Sequence, residues 1–169
     1  FLFWPCAIDR HGLAWESAPF DRDRHLAGHP LADVWIAANT PDADVFTYLE
    51  DIAPDGRVEI VTHGRLRASF RAERRPPYRE YFGLPWHSGL RADVRPLVPG
   101  EPARLRMDLL PVSLIVKAGH RLRFRVAGAD PRQRFRTVSF DPAPIVTVLR
   151  DARHASSIAL PFAPAPAAS

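Results

Sequence analysis

The sequence predicts an all-β protein, a sandwich or barrel, and three observations carry that expectation. Apolar and polar residues alternate with period two in many short runs. Gly, Pro and Asp punctuate those runs at fairly regular spacing. No Pro-free stretch of about ten residues or more shows a helical 3.6 period.

Taken in order, residues 12–16 and 31–38 are the first two expected strands, and 44–52 is the clearest. In that third run Val45, Thr47 and Leu49 point one way and Phe46, Tyr48 and Glu50 the other. An acidic cluster precedes it and Pro54-Asp55-Gly56 follows. Pro54 presets its φ, and Gly56 supplies the permissive position that closes a turn. Residues 58–62 can then fold straight back as a hairpin, with 65–70 read as a separate strand beyond Gly64. The stretch from 71 to 101 mixes Pro, Gly and aromatics without a period. Pro removes backbone donors, so this is an excursion and not sheet interior. Strands resume at 103–110, 121–127, 145–149 and 157–160. The chain is expected to form one domain over 1–163, ending in an Ala/Pro-rich extended tail over 164–169.

Three strands carry Arg at alternate positions: Arg65 and Arg67; Arg104 and Arg106; Arg121, Arg123 and Arg125. Leu122, Phe124 and Val126 alternate with the last set. The pattern predicts a core face and a wetted, basic outer face.

An apolar content of 46% with ten Phe and four Trp in 169 residues is ample for one core. No run approaches the ~20 apolar residues of a membrane span. Cys6 is the only cysteine, which excludes an intrachain disulfide and a multi-Cys zinc site, and a small buried hydrophobe is its expected role. Of the 23 basic residues only Lys117 is Lys, a bias that reads as coding composition and not as a nucleic-acid signal. The compartment is left open, with the cytoplasm favoured. The chain lacks an initiator Met, which predicts a piece of a longer protein.

The wording of the segments adds to their periodicity. The hairpin from Pro41 to Gly56 resembles the "D-x-D-F-x-x-x-L-x-D-x-x-P-D-G" hairpin of the C-terminal domain of X-Pro dipeptidyl-peptidases and cocaine-esterase-type (CocE/NonD) serine hydrolases. Gly64 to Arg71 resembles that family's "G-x-L-R-x-x-x-R" strand. Leu109-Leu110-Pro111 with Ala118 to Arg123 resembles its "L-x-P-T … G-H-R-L-R" pair, and Ser156 to Pro161 its closing "S-x-L-x-L-P". The sequence departs after Val126, where Gly128-Ala129-Asp130-Pro131 replaces a Ser-rich loop. The resemblance implies a jelly-roll sandwich similar to the galactose-binding fold, an upstream α/β-hydrolase domain absent from this chain, and a parent cleaving ester or amide bonds without cofactor.

None of the eight Ser sits in the G-x-S-x-G elbow of a serine hydrolase; Trp86-His87-Ser88-Gly89 comes closest, with the wrong residue before the Ser. The chain alone is therefore expected to have no catalytic residues. The seven His are scattered, and Gly28 and Pro30 forbid a helical pairing of His25 with His29, so no metal is expected through His. Asp42, Asp44, Glu50, Asp51 and Asp55 could offer oxygen ligands to calcium. Without EF-hand spacing, though, bonding to backbone and turn is the expected role. His120 is read as a turn residue bonded to neighbouring backbone, and Trp35 as core.

Candidate contact residues lie in the aperiodic stretch: Tyr81, Phe82, Trp86 and His87, expected to meet the hydrolase domain of the same polypeptide or its substrate. Exposed in the isolated chain, these rings would favour self-association into a homo-oligomer. No nucleic-acid or membrane partner is expected. Two rivals remain: a stand-alone carbohydrate-binding module, since fold does not fix function, and a nucleic-acid binder using an open Arg face.

Overall fold

The computed structural model describes residues 12–79, 82–130 and 140–164. Cys6, Tyr81 and the tail from 165 onward lie outside them. Within them the chain is an antiparallel β-sandwich. One sheet has the order β1 (Gly12–Glu16), β8 (Arg121–Ala127), β4 (Asp44–Ile52), β5 (Val58–Arg67). In the second, β3 (Leu31–Ala38) lies between β6 (Ala103–Asp108) on one side and β9 (Val146–Leu149) with β10 (Ser157–Ala159) on the other. A two-stranded ribbon joins β2 (Arg24–Gly28) to β7 (Val112–Val116).

Alternation places the core. Ala32, Val34 and Ile36 of β3 and Leu105 and Met107 of β6 meet Val45 and Leu49 of β4 and Leu122, Phe124 and Val126 of β8 in one cluster. The inward assignment for β8 holds: those three residues are 3%, 8% and 5% exposed. The hairpin turn also forms as the Pro-Asp-Gly sequence requires. Gly56 has φ of 86°, its N–H donates to Ala53 at 2.9 Å, and Asp55 accepts from the Arg57 amide at 3.0 Å.

Three expectations need correction. First, β5 runs unbroken through Gly64, and residues 68–70 form a 3₁₀ turn instead of strand. Gly64 is no turn residue: a Cβ there would stand 2.8 Å from the Asp108 carbonyl, so the glycine permits a close approach of β6. Second, β2 and β7 are strands beyond those expected from the sequence. β2 (Arg-His-Leu-Ala-Gly) is poor in β-formers, and β7 follows directly on Pro111 and leaves Ile115 on its exposed face.

Third, the Arg face of β8 is not uniformly outward. Arg121 is exposed, but Arg125 is 3% exposed and Arg123 is largely covered. Tyr48 and Ala127, with Phe46 and Ile60, form a second apolar cluster on that side of the sheet. The first sheet is thus covered on both faces along β4 and β8.

Candidate functional site

The excursion between β5 and β6 is tied down at its base by a dense set of bonds. Asp42 accepts from the Ser69 amide (2.9 Å) and hydroxyl (2.8 Å), which fixes the 3₁₀ turn. Arg95 N–H donates to Ser69, and Leu97 N–H to Pro41, both at 2.7 Å, while Leu97 itself is buried in the core. Arg71 reaches the Arg95 carbonyl. Glu73 and His87 face each other across an isolated bridge, and Arg74 N–H donates to Trp86 at 2.9 Å. The Arg74 guanidinium holds Asp93 at 2.6 and 2.9 Å, and the Ser88 hydroxyl donates to the same carboxylate at 2.7 Å. The Arg74 bond first, then the Ser88 bond, hold the Asp93 carboxyl below the ordinary carboxylate range. A carboxyl depressed on folding stabilises above its unfolded pKa and loses that contribution as pH falls through the folded value. The clamp is therefore intact at neutral pH and yields only in acid.

Beyond that clamp the tip projects. Tyr78 is 52% exposed, and Phe82 is 86% exposed with φ of 53°, the only positive φ outside glycine among the described residues. A bulky ring in the left-handed region is uncommon and costs roughly 1–2 kcal/mol. At 86% exposure the ring gains little packing within the chain to offset that cost. Arg75 and Arg79 flank Tyr78 and are exposed too, so apolar rings stand within a basic rim. Trp86 and His87 sit lower, half-buried at the clamp.

His87 does not address Ser88. Its two ring nitrogens lie 3.3 Å from the Ala72 carbonyl and 2.8 Å from the Arg106 carbonyl, and Ser88 is held by Asp93. No nucleophile–base pair exists there. His120, expected to bond neighbouring backbone, instead places Nδ1 2.9 Å from both Asp51 carboxylate oxygens, across from β8 to β4. Trp35, expected in the core, lies on the outer face of β3, edge-on to His154 (5.0 Å) and beneath Arg104 (5.9 Å).

The remaining acidic residues of the hairpin serve the chain's own arginines and backbone. Arg67 grips Asp44 at 2.9 and 3.1 Å, and that bond to Asp44 raises its guanidinium further above the usual range. Glu50, fully buried, faces Arg123 at 2.5 Å and Arg125 at 3.4 Å. Across the second sheet, Arg104 pairs with Asp33 and Arg106 with Glu73. Carboxylates therefore interrupt the Arg rows, which do not form an open basic stripe. Among the described residues no three His, Cys, Asp or Glu gather so as to hold a metal ion. The buried Glu50–Arg123–Arg125 group was missed in the sequence, although Phe46 and Tyr48 on Glu50's face were a signal that this face is covered.

Comparison with known proteins fits this geometry. Residues 5–154 match the family described as "X-Pro dipeptidyl-peptidase C-terminal non-catalytic domain". A Mycobacterium bovis protein and a Mycobacterium tuberculosis protein, each provisionally named a serine esterase, are 42% identical over 157 residues, 92% of this chain and 24% of theirs. The chain thus spans about a quarter of the length of the curated relatives it matches. A CocE/NonD family hydrolase from Staphylococcus aureus superposes with a TM-score of 0.69 at 19% identity, over 90% of this chain and 30% of that one. An α-amino acid ester hydrolase does so with 0.67 at 18%, over 90% and 26%. The carbohydrate-binding alternative finds no support in these matches. A sandwich shared with those solved structures, and a family match over nearly its whole length, establish that this chain belongs to the X-Pro dipeptidyl-peptidase C-terminal non-catalytic domain family.

Proposed function

We propose that the chain is the C-terminal part of a serine hydrolase acting on ester or amide/peptide bonds, and that it packs on the α/β-hydrolase domain of the same polypeptide and helps wall the active-site cleft. The observation that carries this reading is the exposed, conformationally strained ring of Phe82, held out from a base clamped by Asp93. An aromatic presented on a pre-ordered loop loses little entropy on docking and is a usual interface anchor. Tyr81, Trp86 and His87 share the loop, with Phe82 foremost in contact and His87 fixing the base. The Arg-rich rim favours an acidic counter-surface.

Phe82→Ser tests the proposal. In the isolated chain it should change stability by less than about 0.5 kcal/mol, because the ring is 86% exposed there. In the longer hydrolase it should weaken domain packing by about 1–2 kcal/mol and alter kcat/KM, while active-site titration of the nucleophile stays intact. Unchanged kinetics together with unchanged interdomain stability would refute a docking role.

A further inference from the structure

At one edge the two sheets splay and leave a cavity of about 320 Å³ between them. One wall is Trp15, Leu122 and Phe124, with the Trp15 and Phe124 rings stacked at 6.4 Å; the other is Ile158 and Leu160. Ile158 and Leu160 are only half-buried, although both pack against the main core. The core side chains stop short of filling this slot, so its lining lacks contacts that an apolar guest would supply. Its volume lies at the small end of the range for ligand pockets.

The rim has the opposite character. Arg150 lines the cavity with its guanidinium carbon 5.9 Å from the Trp15 ring centroid, and it meets no carboxylate among the described residues. Arg104 is the telling contrast, since it also stands over a Trp but is held by Asp33. The acidic groups near Arg150 are engaged elsewhere. Glu16 lies 3.2 Å from Arg121 and 3.5 Å from Arg123, and Asp151 accepts from the Arg153 amide and lies 3.0 Å from the His154 ring. Ser156 at the same rim already donates to the Leu149 carbonyl and accepts from the Trp35 amide. Ser157 alternates with Ile158 and stands on the exposed face of β10.

We propose that this slot binds a medium-chain monocarboxylate, its alkyl tail between Trp15–Phe124 and Ile158–Leu160 and its carboxylate on Arg150. Arg is suited to that head group because its planar fork matches a carboxylate. A neutral amphiphile would satisfy the walls and leave the cation unanswered; a short anion would do the reverse. The site is distinct from the loop tip and does not depend on the docking role proposed above.

The test is calorimetric titration of the chain with sodium octanoate below its micelle concentration, beside 1-octanol, acetate and octylammonium at equal ionic strength. Octanoate is expected to bind saturably and to shift the methyl resonances of Ile158 and Leu160. Octanol should bind roughly tenfold more weakly, and acetate and octylammonium negligibly. Arg150→Gln, an exposed site whose loss should not unfold the chain, should weaken octanoate by roughly tenfold and leave octanol unchanged. No saturable binding, saturation without movement of those methyls, or octanol matching octanoate would overturn the proposal. So would binding seen in the chain but lost in the longer protein, since a segment of that protein would then fill the slot.

Discussion

Glu50→Gln is expected to lower the stability of this chain by about 3–5 kcal/mol in chemical denaturation. Glu50 is fully buried, and the guanidinium groups it faces belong to Arg123 and Arg125, which are 14% and 4% exposed as side chains. Removing its charge leaves two buried cations in a low-dielectric environment, and desolvation, not the lost hydrogen bond alone, sets the size of the effect. Arg123→Ala should cost less, roughly 1–3 kcal/mol, because Arg125 still faces Glu50. Glu59→Gln is the matched control. That side chain is 71% exposed and only 3.9 Å from Arg57, so its change should fall within about 0.5 kcal/mol. A Glu50 variant no less stable than the Glu59 variant would mean that the buried group is not charged as described.

Phe124→Ala should cost about 3 kcal/mol, the lower end for large core aromatics. The ring is 8% exposed, stacks on Trp15 and stands opposite Leu49 in the β8–β4 register. Two strands flank β8 in register, which restricts how far the sheet can collapse into the space left. The cost stays at the low end because one side of the ring already borders the inter-sheet cavity. Arg121→Ala, on the same strand but exposed and paired with Glu16, should cost less than about 0.5 kcal/mol. If denaturation midpoints ranked Arg121→Ala above Phe124→Ala, the inward face of β8 would be misassigned.

The strands most legible in the sequence were those whose chemistry is local. The β4–β5 hairpin could be read because Pro54-Asp55-Gly56 encodes its turn, and β8 because Leu122, Phe124 and Val126 alternate cleanly. What escaped was set by distant partners. Gly64 looks like a turn residue until β6 is seen to pass against it. Arg125 looks like a solvent residue until β4 pairs with β8, which sets Tyr48 opposite it and brings Glu50 within 3.4 Å; Phe46 and Tyr48 signal a covered face but not the partner. Trp35 reads as core because a Trp in a strand is usually buried, yet period two assigns it to the face of Asp33, where Arg104 and His154 cover it. The loop's aromatics could be identified from composition, but their division into an exposed tip at Phe82 and a half-buried base at Trp86 depends on the Asp93 clamp, whose Arg74 lies 19 residues away.

Amide hydrogen exchange tests the central claim, that this non-catalytic sandwich docks through its loop tip, most directly. The rates for Tyr78, Phe82, Gly83 and Leu84 should be compared between this chain alone and the longer protein proposed to carry it. Docking predicts fast exchange at these amides in the isolated chain, marked slowing in the longer protein, and loss of that slowing in Phe82→Ser, with the core amides of β4 and β8 equally protected throughout. Equal, fast exchange at the tip in both proteins would contradict the account and leave the loop as surface structure without a partner.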